Sequence, residues 1–550
     1  MEVAATVAEL LQARADDDHP ALLFEDEVYT WAELVAAAGR RAALLASRRA
    51  PGPFHVGVLL DNVPEYLFLI AGAARCGAAV VGINPTRRGE ELAHDVRHTD
   101  CQLLVTDREH ARLLEGLDTG VPVDRVVLVD GPGYRGALAA AGPAPAGAVS
   151  PDDRLLLLFT SGSTGAPKAV VCTQGRLASI AERTHAMFGI TRESVTYQAM
   201  PLFHGNALMA NWAPVLGTGA TMALRRRFSA TGFLPDVRRY RATFFNYVGR
   251  SLAYILATPP TDADRDNSLQ LGFGTEASAR DMDAFRLRFG CELMESYGSS
   301  EGGISTRKTP DTPANSIGSP PPGMDVAVVD PATGEECPTA HFDDDGALTN
   351  AAEAIGELVG RNPGSSFEGY YNNPGADAER LRGGWYWSGD LGYRDADGWL
   401  YFAGRGGDWL RVDSENFAAG PVERIVARYP PAVMAAVYPV PDPRTGDQVM
   451  AALELGPGEM FNPASFRAFL DDQADLGTKW MPRFVRITGS MPLTASNKVE
   501  KHRLRAQAWE TDDDVFWQAE RGGPYEPLTP DAVASLRDAF AEHGRTALLP

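Results

Sequence analysis

Apolar runs alternate with helix-like stretches along the N-terminal half of the chain. A strand-like run at 56–60, a helix-like stretch after Asn62 and a second strand-like run at 78–83 follow one another. Further apolar runs occupy 155–159, 221–226, 243–248 and 269–274, and a helical pattern occupies 281–289. Short buried runs joined by amphipathic stretches are typical of βαβ units. The pattern therefore predicts a large α/β domain built from layered sheets and helices.

The pattern changes in the second half of the chain. Short runs rich in Gly, Trp and Tyr between Gly356 and Ala403 predict a small β-rich subdomain. Gly404–Gly407 has the composition of a hinge, and strand-like and helix-like segments follow it. We therefore predict a multi-subdomain N-terminal domain over 1–406 and a smaller, mobile α+β domain over 407–550. The tail after Arg505 has a helix-like stretch to which no role is assigned.

The length and charge narrow the classes of function. At 550 residues the chain is long enough for two domains. Its formal net charge of −21 disfavours nonspecific binding to nucleic acid or to an anionic membrane surface. Since the overall field repels anions, any phosphate-bearing ligand must be held by backbone donors and a few placed cations.

The cysteines and the N-terminus indicate a reducing compartment. The five cysteines are scattered without the paired spacing of a zinc site or a redox motif. The first residues lack a basic stretch before an apolar one, and no run of 18 apolar residues occurs. We therefore expect a cytoplasmic protein without an integral membrane segment.

One glycine-rich loop has the chemistry of a phosphate-binding segment. Thr160–Lys168 reads TSGSTGAPK and lies between the apolar runs LLLLF and AVVC. Its glycines allow close backbone approach, its hydroxyls supply donors, and Lys168 supplies a positive charge for outer phosphates. The spacing is not that of a Walker loop.

This loop resembles the phosphate loop of the adenylate-forming superfamily, which comprises acyl-CoA synthetases, adenylation domains and luciferases. Ala169 stands where the family usually has Gly. The resemblance implies that ATP or AMP phosphates and Mg²⁺ bind at this loop, with Lys168 catalytic and Thr164 a metal ligand. The implied nucleotide contacts here are Thr160, Ser161, Gly162, Ser163, Thr164, Gly165 and Lys168.

Three further segments match the superfamily in order. PLFHGNA resembles the signature that borders the acyl pocket, which makes His204 a candidate catalytic residue. GFGTEAS and ESYGSSEGG resemble the segments around adenosine, with Tyr297 placed to stack on adenine and Glu301 to bind Mg²⁺. Ser300 replaces the common Thr. The implied contacts are Gly274, Thr275, Glu276, Tyr297, Gly298, Ser299 and Ser300.

The segment Gly384–Arg405 is the densest match. It resembles the segment in which an Asp accepts hydrogen bonds from both ribose hydroxyls and an Arg approaches the sugar-phosphate, and Asp390 and Arg405 occupy those positions. Gly407 stands at the hinge position, and the following residues resemble the fatty-acid-transport-protein and fatty-acyl-CoA synthetase branch.

Two C-terminal segments complete the resemblance. Ser414, where a Gly normally precedes Glu-Asn, and Glu415 lie near the implied path of the pantetheine arm of coenzyme A. MPLTASNKVEKHRLR resembles the C-terminal lysine signature, so Lys498 is the residue implied to contact the carboxylate and phosphate during adenylation. Asn497 replaces the usual Gly in this signature.

The resemblance implies an AMP-forming acyl-CoA ligase that acts in two half-reactions. A carboxylate attacks the α-phosphorus of ATP, and coenzyme A then attacks the acyl-adenylate. The apolar stretches at Phe203–Trp212 and Phe244–Tyr254 favour a hydrophobic acid. The oligomeric state is open, with a homodimer as one alternative.

Three alternatives to this function remain open at the level of sequence. The enzyme could load a carrier protein instead of free coenzyme A. It could perform only one of the two half-reactions, an alternative motivated by Ala169, Ser414 and Asn497. Finally, the chain could be a noncatalytic nucleotide-binding protein that kept the pocket.

Overall fold

The fold is described from a computed structural model. The described residues are 4–142, 149–160, 168–275, 277, 279–309, 311–313, 315–343, 348–361, 367–405, 409–412, 415–444, 446–473, 476–477, 479–494 and 498–549.

The strands are numbered in chain order. They are β1 (Pro20–Phe24), β2 (Glu27–Thr30), β3 (His55–Leu59), β4 (Ala79–Gly82), β5 (Cys101–Thr106), β6 (Val126–Leu128), β7 (Arg154–Thr160), β8 (Lys168–Thr173), β9 (Val195–Gln198), β10 (Thr221–Leu224), β11 (Phe244–Val248), β12 (Leu271–Thr275), β13 (Glu292–Glu295), β14 (Val326–Val329), β15 (Gly356–Gly360), β16 (Leu381–Arg382), β17 (Trp385–Arg394), β18 (Leu400–Arg405), β19 (Trp409–Val412), β20 (Glu415–Ala418), β21 (Ala432–Pro441), β22 (Asp447–Leu455), β23 (Phe484–Thr488), β24 (Asp514–Trp517) and β25 (Glu526–Pro527).

The helices are numbered in the same way. They are α1 (Val7–Gln12), α2 (Trp31–Ser47), α3 (Pro64–Cys76), α4 (Gly89–His98), α5 (Arg108–Ala111), α6 (Pro132–Ala140), α7 (Gln174–Phe188), α8 (Gly205–Ala207), α9 (Ala213–Thr218), α10 (Ala230–Tyr240), α11 (Gly249–Leu256), α12 (Ala279–Phe289), α13 (Ala351–Ala354), α14 (Pro374–Arg380), α15 (Ala419–Val426), α16 (Pro463–Asp471), α17 (Lys501–Gln507) and α18 (Pro530–Glu542). A π-helical turn, Leu208–Trp212, joins α8 to α9.

Two large sheets form the N-terminal half. The first has the order β13-β12-β11-β9-β10-β1-β2, and the second has the order β6-β5-β3-β4-β7-β8. Neighbouring strands are parallel except at one edge of each sheet, where β2 pairs with β1 and β8 pairs with β7 in antiparallel fashion. This mostly parallel arrangement agrees with the predicted βαβ units, whose crossovers are helices.

A layer of helices separates the two sheets. The largest buried cluster combines side chains of β1 and β11 in the first sheet, β3 and β7 in the second, and helices α2, α3, α7 and α9. Helix α3 begins with Pro64 at its first position and ends at Gly77, whose φ of 68° is the left-handed conformation that glycine adopts without strain. Almost every residue of α3 is buried, as its apolar sequence predicts.

The second half of the chain contains three smaller sheets. Strands β14, β15, β16, β17 and β18 form an antiparallel sheet, which confirms the predicted β-rich subdomain. Strands β19 and β20 form a hairpin. Strands β21 to β25 form the sheet of the C-terminal domain. The two-domain α/β architecture with a smaller α+β C-terminal domain is confirmed, whereas residues 406–408 at the predicted boundary lie outside the described part of the chain.

The tail after Arg505 belongs to the C-terminal domain. Strand β24 pairs with β23 and extends that sheet, and Phe540 of α18 is fully buried against the same core as Trp509. The predicted tail helix is therefore an integrated part of the fold. No helix among the described residues is long and apolar enough to cross a membrane. All five cysteines are free thiols.

Candidate active site

The predicted site residues converge where strands of the two large sheets end. Thr160 ends β7, Gly274 and Thr275 end β12, and the segment from Tyr297 to Glu301 follows β13. Carboxyl ends of parallel strands are the usual place for ligand sites in α/β sheets. Side-chain contacts between these segments show that motifs far apart in sequence meet here.

Glu301 is the centre of one polar cluster. Its side chain is buried, and its Oε1 accepts hydrogen bonds from the Tyr370 hydroxyl at 3.0 Å and from the Thr160 hydroxyl at 3.4 Å. The Arg380 Nε donates to the same Tyr370 oxygen at 3.2 Å. Burial is the main cause that raises the pKa of Tyr370, and the neighbouring Glu301 carboxylate raises it further. The cluster therefore fixes the position of the Glu301 carboxylate at the end of β7.

Lys168 lies across the β7–β8 hairpin from Thr160. The two residues are the last register partners of the strand pair, on either side of residues 161–167. The Lys168 Nζ lies 3.2 Å from Glu379 Oε2 and 5.4 Å from the centre of the Tyr370 ring. Because the Glu379 side chain is largely exposed, this ion pair is weak and leaves the ammonium group able to meet an incoming anion.

Tyr297 and Asp390 form a second pair. The Tyr297 hydroxyl donates to Asp390 Oδ2 at 2.6 Å. Burial and then the Asp390 carboxylate raise the pKa of Tyr297, so the phenol stays protonated and holds the carboxylate. The backbone of Asp390 pairs with that of Arg405 across β17 and β18. The structure thus brings together the residues predicted to contact adenine, ribose and phosphate.

Gly205 allows the acyl signature to approach the segment after β13. A Cβ atom at this position would lie 2.5 Å from the Ser300 Oγ, so a larger residue would push the two segments apart. The Ser300 carbonyl accepts a hydrogen bond from Arg176 Nη2 at 2.6 Å. The predicted contacts Gly298 and Ser299 lie on the exposed turn before Ser300.

His204 and Lys498 come from different domains, and Lys498 lies within electrostatic range of His204. His204 precedes α8, and desolvation lowers its pKa to about 4. The nearby Lys498 ammonium lowers this pKa further because it repels an imidazolium. The Lys498 backbone N–H donates to the Thr494 hydroxyl at 3.1 Å. The imidazole is therefore neutral at neutral pH, beside a lysine supplied by the C-terminal domain.

Several predicted contacts lie outside the described residues. These are Ser161, Gly162, Ser163, Thr164, Gly165, Glu276 and Ser414. Arg405 and Glu415 are described only as backbone, in β18 and β20. The roles predicted for all of these residues stay predictions.

Two families match this chain. The family described as AMP-binding enzyme matches residues 11–371, and the AMP-binding enzyme C-terminal domain matches residues 421–498. The chain belongs to the AMP-binding enzyme family. It is an acyl-CoA synthetase of the adenylate-forming superfamily, an acid–thiol ligase that binds ATP or AMP, activates a carboxylic acid as its adenylate and transfers the acyl group to coenzyme A.

Individual relatives of this AMP-binding enzyme cover nearly its whole length. A steroid-22-oyl-CoA synthetase of Rhodococcus jostii is 52% identical over 548 residues, 99% of each chain. The medium/long-chain-fatty-acid–CoA ligase FadD17 of Mycobacterium tuberculosis is 44% identical over 515 residues, 93% of this chain and 98% of the relative. The ATP-bound structure of MatB from Rhodopseudomonas palustris has a TM-score of 0.80 at 25% identity and covers 92% of this chain and 98% of MatB.

These relatives bear on the alternatives left open by the sequence. Those reported above are ligases, and none supports a carrier-protein acceptor, a single half-reaction or a noncatalytic binder for this AMP-binding enzyme. The acyl-CoA ligase prediction is confirmed.

The oxygen atoms of Glu301 and its neighbour Thr160 are suitable ligands for a magnesium ion. The carboxylate of Glu301 and the hydroxyl of Thr160 are the hard oxygen ligands that Mg²⁺ prefers. Among the described residues no three His, Cys, Asp or Glu side chains form a metal cluster. That pattern is compatible with Mg²⁺ in a nucleotide site, where one or two protein ligands and the phosphates share the ion.

Sequence reasoning missed two features of this synthetase, the side chains that support Glu301 and a contact between the domains. Tyr370 and Arg380 support Glu301, but Tyr370 lies in a segment whose Asn-Asn-Pro reads only as a turn. Tyr254 of α11 donates to Glu454 Oε1 of the C-terminal domain at 3.0 Å. Glu454 also accepts from the backbone N–H of Met491 at 2.8 Å. No local sequence signal marks such pairs, because their members are distant along the chain.

Proposed function

We propose that the acid activated by this synthetase is a steroid carboxylic acid. The observation that carries the reaction is the convergence of Glu301 with Thr160 and of Tyr297 with Asp390, beside the segment of Gly205. The acid class is supported by the 52% identity with a steroid-22-oyl-CoA synthetase along 99% of the chain. A medium- or long-chain fatty acid is the second candidate, supported by the similarity to FadD17.

The walls next to His204 suit an apolar acid. Phe203 and Phe273 are buried, and Met209, Leu271 and Met294 are partly buried against the same core. We infer that this apolar and aromatic core around the predicted acyl pocket favours an acid with a bulky hydrophobic body.

The nucleotide end of the site is built from the residues already described. Asp390 accepts hydrogen bonds from the ribose hydroxyls. The Tyr297 phenol orients the Asp390 carboxylate by donating to its Oδ2. Lys168 and the segment Thr160–Lys168 meet the outer phosphates, with Lys168 exchanging Glu379 for phosphate oxygens. Glu301 and Thr164 would hold Mg²⁺, which neutralises phosphate charge when bound.

The acid end is completed by the C-terminal domain. The acid carboxylate attacks the α-phosphorus of ATP, and pyrophosphate leaves. Lys498 places its ammonium beside the carboxylate and the reacting phosphate, where negative charge must be stabilised. Neutral His204 borders the acyl pocket without adding a second positive charge. No side-chain nucleophile takes part, so positioning and electrostatics supply the catalysis.

The second half-reaction requires a different placement of the C-terminal domain. We infer that rotation near residues 406 and 407, the boundary between the domains, withdraws Lys498 and opens a path for the thiol of coenzyme A past Ser414 and Glu415. The Tyr254–Glu454 hydrogen bond joins the domains in the present arrangement and would break in that motion. The reaction belongs in the cytoplasm, where ATP and coenzyme A are available.

The test measures the two half-reactions separately. Purified enzyme is incubated with coenzyme A and steroid or straight-chain acids, once with ATP and Mg²⁺ and once with preformed acyl-adenylates. Thioesters are detected by mass spectrometry. We expect thioesters in both arms, with kcat/KM higher for a C22 steroid acid than for decanoic acid. A preference for decanoic acid would replace the first candidate by the second, and absence of thioester in both arms would refute the function.

A further inference from the structure

A chain of four polar side chains runs through the apolar core beside the acyl pocket. The Thr196 hydroxyl on β9 donates to Asn211 Oδ1 at 2.7 Å. Asn211 Nδ2 donates to Asn246 Oδ1 at 2.9 Å, and Asn246 Nδ2 donates to Asn206 Oδ1 at 2.6 Å. Thr196, Asn211 and Asn246 are buried, whereas Asn206 is partly exposed. The chain therefore leads from the core to one accessible end.

The direction of this chain is fixed at its buried end. Asn211 Nδ2 also donates to the backbone carbonyl of Tyr197 at 3.2 Å, and a carbonyl can only accept. Asn211 must therefore present its nitrogen to Asn246, which in turn presents its own nitrogen to Asn206. Each amide has one oxygen and one NH₂ group, so the NH₂ group of Asn206 is left at the accessible end. The network makes that end a hydrogen-bond donor.

The π-helical turn at Leu208–Trp212 contributes to this arrangement. Asn211 lies within the turn, and its side chain makes three hydrogen bonds, two within the chain and one to the Tyr197 carbonyl. Such turns are rare and occur frequently at functional sites. Two buried asparagines, Asn211 and Asn246, cost desolvation free energy that apolar residues would avoid. The network is thus better explained by what its open end does than by stability.

The open end lies in the segment predicted to border the acyl pocket. Asn206 is two residues after His204 and adjacent to Gly205, which touches Ser300. Its partner Asn246 is opposite Phe273 in the β11–β12 register. Asn246 precedes the end of β11 by two residues, which is about 7 Å at the rise of a strand. No described group accepts from the Asn206 NH₂ group.

We propose that Asn206 is a specificity residue that donates a hydrogen bond to an oxygen on the carbon skeleton of the acid, a few carbons from the carboxylate. This deepens the proposed function and rests on it. The carboxylate itself belongs to Lys498 and His204 at the strand end, so the group that meets Asn206 is a ketone or hydroxyl oxygen deeper in the pocket. An alkyl chain at this point leaves a donor unsatisfied, which disfavours unsubstituted acids.

The test compares acids that differ in one oxygen. Pyrophosphate release is measured for decanoic acid against 4-oxodecanoic acid, and for a C22 steroid acid against its 17-hydroxy derivative. In each pair, the wild-type enzyme should show a kcat/KM at least about tenfold higher for the oxygenated acid. Asn206→Leu should remove this preference, because it keeps the approximate volume and deletes the donor. Asn206→Asp should reverse it for the ketone, because a carboxylate repels the carbonyl oxygen.

The ratio of the two kcat/KM values separates recognition from general damage. Asn267→Leu removes another half-buried asparagine whose side chain bonds the backbone carbonyls of Asp264 and Phe289 and the backbone N–H of Leu269, and it should leave the ratio unchanged. An equal loss for both acids in Asn206→Leu, or no preference in the wild-type enzyme, would overturn the proposal. If the enzyme activates neither acid of either pair, the proposed substrate class fails along with it. Activity on the unsubstituted acids without discrimination overturns only the role of Asn206.

Discussion

Replacement of Lys498 by alanine should separate the two half-reactions. Lys498 belongs to the C-terminal domain and lies within electrostatic range of His204. In the proposed mechanism its ammonium stabilises charge that develops during attack on the α-phosphorus. Loss of one such preorganised group typically costs about 3–4 kcal/mol of transition-state stabilisation, or a factor of about 10²–10³ in kcat. We expect a loss of this size in adenylation.

The assay follows both steps in one set of variants. Pyrophosphate release reports adenylation, and thioester formation from a supplied acyl-adenylate reports the second step. Lys498→Ala should keep the second rate within about threefold of wild type, because Lys498 has no role in thiol attack. Lys479→Ala, which removes another lysine of the C-terminal domain, is the matched control and should change neither rate. Equal losses of both half-reactions in Lys498→Ala would refute the assigned role.

The same variant offers a readout that is independent of activity. Because the Lys498 ammonium helps to keep the pKa of His204 near 4, its removal should raise that pKa toward the value set by burial alone. Histidine resonances followed by NMR during an acid titration measure the change. An unchanged His204 pKa would show that the two side chains do not meet in solution.

Three further predictions concern the nucleotide, the pH and the domain contact. Asp390→Ala should weaken AMP binding, measured by calorimetry, about tenfold or more, because the ribose hydroxyls lose their acceptor. Tyr297→Phe should weaken it less. Equal AMP affinity in both variants and the wild type would contradict the ribose assignment. The pKa of His204 is about 4 in the folded protein and about 6.5 in the unfolded chain, so between these values the unfolded chain binds the extra proton. The free energy of unfolding should therefore fall by at most about 3 kcal/mol as the pH falls from 6.5 to 4. Urea unfolding should show that His204→Asn reduces this pH dependence, and an unaltered slope would exclude the residue as its cause. Tyr254→Phe should remove the hydrogen bond to Glu454 and slow adenylation more than thioester formation; a selective loss of the second step would contradict its place in the adenylating arrangement.

The sequence was informative about elements and local motifs. The apolar run at 155–159 lies within β7, the helical pattern at 281–289 lies within α12, and the runs at 243–248 and 269–274 cover β11 and most of β12. Residues Gly356–Ala403 contribute to the antiparallel β-rich sheet as predicted. These features depend on periodicity and turn residues within a few positions of each other, so the local sequence carries the signal. The tail helix α18 was predicted as a helix, but its packing on the C-terminal core was not.

The contacts of the site depended on pairs that are remote in sequence. Tyr297 precedes Asp390, Thr160 precedes Glu301 and Tyr254 precedes Glu454 by many residues, and only the order of the strands decides that each pair meets. The same applies to the direction of the asparagine chain, which a backbone carbonyl on β9 sets. The sequence alone determined the elements, the two-domain α/β plan and the motif residues, since those rest on short-range patterns. The tertiary structure decided which carboxylates are held by phenols, which histidine loses its proton and which amide faces the acid, because hydrogen-bond direction and desolvation exist only after the chain has packed.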